Sequence, residues 1–365
     1  MAFDTAVIGG GPAGCAAAIS VARAGASVLL LERGQFPRHK VCGEFVSAES
    51  LELLSSLLPN KFAPLLTAAP RISEARIFLD GVELEASVDP PAASIARFDL
   101  DCALWRASIE AGVTVHSGVT VRSVEGRGPF QIFAAEQVFE SKSLINATGR
   151  WSNLTKSSAH SLTSTRKWIG IKAHFFEPSP SRSVDLYFFD GGYCGIQSVN
   201  SAHNSSGTLI NACAMARCDV ASTMPQILMQ HPLLSERKNT WTAATQPVTT
   251  SPLIFHQPEP LQGEMLQVGD SAMFVDPFIG DGISLALRSG TLAAQSILPF
   301  LRGESSLEQV CSRYSCEYRQ RFAHIFRASS RLRSLMRWPR AVRKPVLSVL
   351  AKAPFFTSRM VTMTR

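Results

Sequence analysis

Residues 3–14 read FDTAVIGGGPAG, and this stretch with the twenty residues after it decides the fold. Residues 3–8 make a short apolar strand that runs straight into Gly9-Gly10-Gly11-Pro12-Ala13-Gly14. Ala-rich helical sequence continues to about Ala24, Gly25 ends it, and SVLLL at 27–31 forms a second buried strand closing on Glu32. The order strand, G-x-G-x-x-G, helix, strand, acid describes a βαβ unit built to hold a dinucleotide. Gly9 allows the tight turn, Gly11 lets a pyrophosphate approach the backbone, and Gly14 lets helix and strand pack closely. Free N–H groups at the helix start then face the diphosphate. Glu32 is placed to accept hydrogen bonds from the adenosine ribose, and its charge disfavours a 2′-phosphate. Gly9, Gly11, Pro12, Ala13, Gly14, Glu32 and Arg33 are therefore candidate cofactor residues. The motif by itself does not separate NAD from FAD.

That choice comes from the other end of the chain. Residues 264–272, EMLQVGDSA, form an apolar strand running into Gly269-Asp270, and Pro277-Phe278-Ile279-Gly280-Asp281-Gly282 then opens a second apolar helix, ISLALRSGTLAAQSI. Three further segments lie between. Pro37–Glu44, PRHKVCGE, follows the second strand. Arg97-Phe98-Asp99 starts a helix that leads to a strand at 113–116. SLIN at 143–146 runs into Ala147-Thr148-Gly149. Together these resemble the p-hydroxybenzoate hydroxylase-like FAD-dependent oxidoreductase superfamily, in its geranylgeranyl reductase and flavin-dependent halogenase branch.

The resemblance spans roughly residues 1–300 and implies FAD as the cofactor. It implies that Asp270, after Gly269, binds the ribityl chain and that Pro277 lies beside the isoalloxazine. Gly280, Asp281, Gly282 and Ile283 open the helix whose N-terminus faces the flavin pyrimidine, where negative charge on reduced flavin is stabilised. Arg97 lies near the flavin, and Ala147, Thr148 and Gly149 form the turn where the chain re-enters the cofactor domain. Where several relatives carry Asp-Gly, this chain has Gly149-Arg150. In PRHKVCG the Cys42-Gly43 turn lies near the flavin, and Arg38 and Lys40 supply charge for the pyrophosphate. Cys42 is either a structural thiol or a residue lining the redox site. Asp99 is either an N-cap or a site residue, and His39 reads as part of a solvated loop.

The expected fold class is α/β: a Rossmann-like FAD-binding domain of the glutathione reductase-2 type, an inserted antiparallel β-sheet substrate domain, and a helical C-terminal tail. Residues 1–70, 97–155 and 262–303 are assigned to the first, 71–96 and 156–261 to the second, and 304–365 to the tail. Strands are expected at 75–79, 82–86, 167–176, 184–189, 193–199, 208–215 and 241–249, with turns at 190–192 and 204–207. The aromatic set Trp168, Phe175, Phe176, Tyr187, Phe188, Phe189 and Tyr193 reads mostly as core, but alternation turns half of it to one face, where a hydrophobic substrate would lie over the flavin.

The 365 residues are 45% hydrophobic and 18% charged, as a globular chain with a large core requires. Thirteen of the 36 Lys/Arg and one of the 29 acids, Glu317, lie from Arg313 onward, so the tail carries +12 and the rest −5. That distribution argues against nucleic-acid binding by the body. The tail reads either as helices packed on the body with a solvated basic face or as a peripheral contact with an anionic membrane or with an acidic carrier protein. The eight cysteines read as free thiols. Neither C-x4-C pair, Cys213/Cys218 or Cys311/Cys316, reads as a redox couple. No metal-ligand cluster, signal peptide or membrane-spanning run is read, and a cytoplasmic location is expected.

A second complete G-x-G-x-x-G after a strand is missing, so electrons are expected from transiently bound NAD(P)H or from an external reductase. The expected activity is a monooxygenase acting on a hydrophobic aromatic, polyketide or lipid-like molecule. The alternative is a reductase of prenyl or polyene double bonds, and a flavin-binding docking protein stands third. At Tyr193-Cys194-Gly195 the Trp and Phe-Pro pattern of prenyl reductases is missing, and so is the halogenase W-x-W-x-I-P motif, which argues against halogenation and weakens isoprenoid reduction.

Overall fold

The apolar strand Ala2–Ile8 is central in a sheet ordered Leu261–Gln262, Met265–Gln267, Gln137–Asn146, Ala2–Ile8, Val28–Glu32, Thr114–Ser117. The computed structural model describes residues 2–135, 137–150, 154, 167–200, 209–336 and 338–351. Four consecutive pairings in this sheet are parallel. Parallel strands covered on both faces need continuous apolar runs rather than alternation, and Val28–Glu32 is buried at every position. The helices Pro12–Arg23 and Arg97–Glu110 supply the crossovers that parallel neighbours require. The hairpin Val121–Gly126 and Phe130–Ala134 extends from Gln137–Asn146. The helix Gly282–Leu301 packs on Pro12–Arg23, at a distance so short that a Cβ on Gly290 would stand 2.1 Å from the Ala13 carbonyl oxygen.

The second sheet is ordered Thr242–Ala243, Trp168–Phe176, Leu209–Arg217, Gly192–Ser198, Ser183–Phe189, Arg71–Leu79, Val82–Ser94, Phe45–Val46. It is antiparallel as expected except for one pairing: Ser183–Phe189 runs parallel to Arg71–Leu79. A parallel pair needs a long crossover, and here the chain makes it by leaving for the first sheet and returning. Three details differ from the sequence reading. The strand expected at 241–249 is two short ones, Thr242–Ala243 and Val248–Thr250, because Pro247 between them has no N–H to give a ladder. The strands expected at 75–79 and 82–86 extend over Arg71–Leu79 and Val82–Ser94. They are joined at Asp80-Gly81, both with positive φ, the conformation of a tight hairpin. Phe45–Val46, assigned by sequence to the cofactor segment, pairs with Val82–Ser94 instead.

Beyond Leu301 the chain is helical over Leu307–Met336 and Arg340–Ala351. The turn at 204–207, the boundary at 155–156 and residues 352–365 lie outside the described residues. Among the described residues no helix is long and apolar enough to cross a membrane.

Candidate active site

The glycine turn behaves as its spacing requires. Gly9 has φ +110, and a Cβ there would stand 2.2 Å from the Ala147 carbonyl oxygen. One on Gly14 would stand 1.8 Å from the Gly9 oxygen, so Gly14 serves the packing of turn on helix. Gly11 differs: a Cβ on it would meet only Lys40 Nζ, at 3.9 Å. The space over Gly11 is thus an open cradle with an ammonium beside it, at a helix start that has no side-chain cap. Burial, the largest influence, and the neighbouring Arg97 and Arg38 guanidiniums pull the Lys40 pKa down, against Asp101. A diphosphate placed there would meet the backbone N–H groups of the helix start and the Lys40 ammonium. The residues fit the group.

Glu32 is 5% exposed. One carboxylate oxygen accepts from the Gly10 N–H at 2.8 Å; the other accepts from the Gly34 N–H at 2.7 Å and from Arg38 at 2.8 Å. Burial pushes its pKa up, but the Gly34 N–H and the charges of Lys40 and Arg38 outweigh it and hold the carboxyl below its ordinary value. It therefore stays ionised. The oxygen facing Gly10 holds a single donor and keeps a lone pair for a ribose hydroxyl.

A cavity of about 580 Å³, within the ~300–1,000 Å³ usual for ligand sites, runs from this turn to the second glycine turn and on to the second sheet. All of the cofactor residues expected from sequence line it except Gly14 and Asp281. Gly280 takes the left-handed conformation at φ +78, and Asp281 follows as the buried N-cap of Gly282–Leu301. Arg150 Nε lies 3.5 Å from Asp270 and its guanidinium lies over the Phe274 ring. The Arg97 guanidinium makes paired bonds to buried Asp101 at 2.6 and 2.7 Å. Asp99 does not cap this helix; the N-cap position is Ala96, and Asp99 lies in the first turn. All eight cysteines are free, with Cys213 and Cys311 buried while Cys218 and Cys316 are exposed.

The second sheet has a graded face on its cavity side, where Gly170, Tyr193, Cys213 and Met215 line the cavity itself. Gly170, Lys172 and His174 alternate on one side of their strand; the opposite side, with Ile171 and Ala173, joins an apolar core. Cross-strand register aligns Gly170 with Met215 and Tyr193, Lys172 with Cys213 and Gly195, and His174 with Asn211 and Gln197. One end of this face is therefore apolar and aromatic, and the other is polar. Of the aromatic set, Phe188, Tyr193 and Trp168 belong to the cavity side, where they pack with Met215, Leu253 and Phe274; Tyr187, Phe175 and Phe189 pack on the other.

At the polar end lies a buried ionic cluster that the sequence reading passed over. Glu44, at φ +63, closes the PRHKVCGE segment. Its carboxylate accepts from Lys172 and from the Arg97 N–H at 2.7 Å on one oxygen, and meets His174 Nε2 at 2.8 Å on the other. Glu44 is fully buried, and Lys172 and His174 are 1% and 2% exposed. Burial pushes the Glu44 pKa up, but the Lys172 ammonium and the His174 bond bring it down to about 2. Beside the cluster, Cys42 lines the cavity; its Sγ accepts from the Glu44 N–H at 3.3 Å and its carbonyl from Asn211 at 3.0 Å. His39 is not a solvated loop residue. It lines the cavity, lies 4.8 Å from the Phe98 ring at a tilt of 33° and stands edge-on 5.5 Å from His174, with Nδ1 buried and lacking a hydrogen-bond partner among the described residues. The signal for Lys172 and His174 was present in WIGIKAHFF, as polar residues at period two in an otherwise apolar strand.

Comparison with known proteins agrees with this geometry. Residues 4–37 match the family described as FAD dependent oxidoreductase. Digeranylgeranylglycerophospholipid reductase 2 of Methanopyrus kandleri is 25% identical over 340 residues, spanning 90% of this chain and 85% of the relative. The solved structure of a geranylgeranyl bacteriochlorophyll reductase-like protein from Thermoplasma acidophilum is similar with a TM-score of 0.78 at 18% identity, over 100% of this chain and 95% of that one. That of the myxobacterial chondrochloren halogenase gives 0.74 at 22% identity, over 89% and 81%. Fold and site together define an FAD-dependent oxidoreductase. Its fold is the one shared by the geranylgeranyl reductase-like proteins and the flavin-dependent halogenases, and FAD is its cofactor.

Proposed function

We propose that this protein is a reductase that adds a hydride and a proton across a carbon–carbon double bond of a lipophilic, isoprenoid-type substrate. The observation that carries this reading is His39, a cavity-lining histidine whose Nδ1 has no hydrogen-bond partner among the described residues, backed by the buried His174–Glu44–Lys172 cluster. Reduction of a double bond needs a proton beside the hydride donor, and a positioned histidine is the commonest group to supply one. The reductase relative, whose printed name carries a geranylgeranyl lipid, points to the same substrate class.

Gly11 and Lys40 would hold the diphosphate, Glu32 the ribose, and the start of Gly282–Leu301 the pyrimidine edge of the flavin. When bound and reduced, FAD supplies the hydride. Tyr193, Met215, Leu253 and Phe274 exclude water and hold the apolar chain. Protonated His39 gives its proton to the carbon that does not receive the hydride. Glu44, itself fixed by Lys172, holds the His174 ring against which His39 rests. NAD(P)H or a separate reductase restores the electrons. Cys42 and Arg97 flank this arrangement at the cavity wall.

Stopped-flow spectroscopy tests the assignment. Holoenzyme reduced anaerobically and mixed with a geranylgeranyl phospholipid should be reoxidised by the lipid, with loss of one double bond per flavin. Reduced enzyme that ignores the lipid until O2 is admitted, and then oxygenates it, would overturn the proposal in favour of a monooxygenase.

A further inference from the structure

Asp101 is a fully buried carboxylate on the helix Arg97–Glu110, on a face it shares with Leu104, Trp105 and Ser108. A charge in such a place needs partners to offset its lost hydration, and Asp101 has two. Its oxygens take the paired bonds of Arg97 at 2.6 and 2.7 Å, and Oδ2 also lies 3.9 Å from Lys40 Nζ. That same Nζ is the atom a Cβ on Gly11 would meet. Lys40 thus reaches from the buried carboxylate to the open cradle over Gly11.

The charged groups that face Lys40 come from each element packed around it. Glu32 ends the strand Val28–Glu32, Arg38 lies in the same loop, and Arg97 and Asp101 project from their helix. Cys15, on the helix Pro12–Arg23, also feels Asp101 and Lys40, but burial pushes its thiol up to about 12 and keeps it neutral. Arg38 is bonded to Glu32 and Arg97 to Asp101. Guanidiniums keep their charge at any ordinary pH, so Lys40 is the one of these three cations that can lose it. Burial and the two guanidiniums work against its proton, and Asp101 is the foremost group holding it.

We propose that Asp101, which does not itself line the cavity, is the positioning residue of the diphosphate site: it keeps Lys40 charged and aimed at Gly11. This role rests on FAD at the glycine turn and is independent of the reaction assigned above. Equilibrium titration of the full-length apoprotein with FAD across pH tests it. Wild-type affinity should hold above neutrality and fall as Lys40 loses its proton on the way to 10.5, the ordinary lysine value. D101N should move that fall to lower pH, binding about tenfold more weakly than wild type in mild alkali, and the gap should close in mild acid, where Lys40 is charged in both. K40M should bind weakly at every pH, and adding D101N to it should cost nothing further. R97Q, which leaves Asp101 to Lys40 alone, should move the fall to higher pH, a result that stands even where D101N does not fold. The proposal is overturned if the D101N profile matches wild type or lies below it by one factor at every pH, if D101N costs as much in the K40M background, or if R97Q leaves the fall where it is.

Discussion

Glu44 gathers the Lys172 ammonium, the His174 ring and the Arg97 N–H on one buried carboxylate. Its neighbours keep it ionised without solvent, so replacing it strands the Lys172 ammonium in the interior. Removing one partner of a buried charge pair costs about 3–5 kcal/mol, and E44Q should lose that much in chemical denaturation at neutral pH. The pH dependence has a definite sign. With a folded pKa of about 2 against 4.5 in the unfolded chain, the ionised carboxylate stabilises the fold above pH 4.5, and that contribution is lost as pH falls towards 2. E44Q should therefore lose less stability than wild type across that acid window. His39 shifts for other reasons. Burial, Lys172 and His174 pull its pKa below 6.5, while Glu44 and Asp99 oppose them. If His39 delivers the proton, kcat should fall as pH rises through a value below 6.5, and H39F should lose both that limb and most of the rate. An unchanged pH profile in H39F would remove His39 from the reaction. None of this was legible from PRHKVCGE alone, because a loop's neighbours depend on which distant strand folds over it.

At the scale of elements, the glycine turns were legible because each is a local device. The strand–turn–helix order, the helix break at Gly25 and the acid at 32 all follow from residues near in sequence. The three glycines nevertheless differ in what they tolerate. Gly9 and Gly14 have no room for a Cβ, so their substitution should unfold the turn. Gly11 has extended backbone with φ −76 and open space, so G11L should fold normally and bind FAD at least roughly tenfold more weakly, a change of ~1.4 kcal/mol. Equilibrium titration of the apoprotein beside a melting curve separates these outcomes. Equal FAD affinity in G11L would place the diphosphate elsewhere. The middle strands were partly legible: alternation identified them, but the Pro247 break and the Asp80-Gly81 hairpin set their true lengths. The single parallel pairing was not legible, because it depends on how an interrupted chain returns to its own sheet.

Over the whole molecule, the two sheets face each other across one cavity, and the chain visits them alternately to build it. The first sheet brings glycine turns from residues 9–14 and 269–282 to the same space; the second supplies a face graded from Tyr193 and Met215 to His174 and Asn211. That grading puts polar side chains at one end and apolar walls at the other, an arrangement that suits the proposed hydrogenation of a buried double bond. Mass spectrometry of the lipid product formed under 18O2 with an electron donor tests this most directly. The expected product is heavier by two hydrogens and carries no 18O; a product that keeps its double bonds and gains one 18O atom would contradict it.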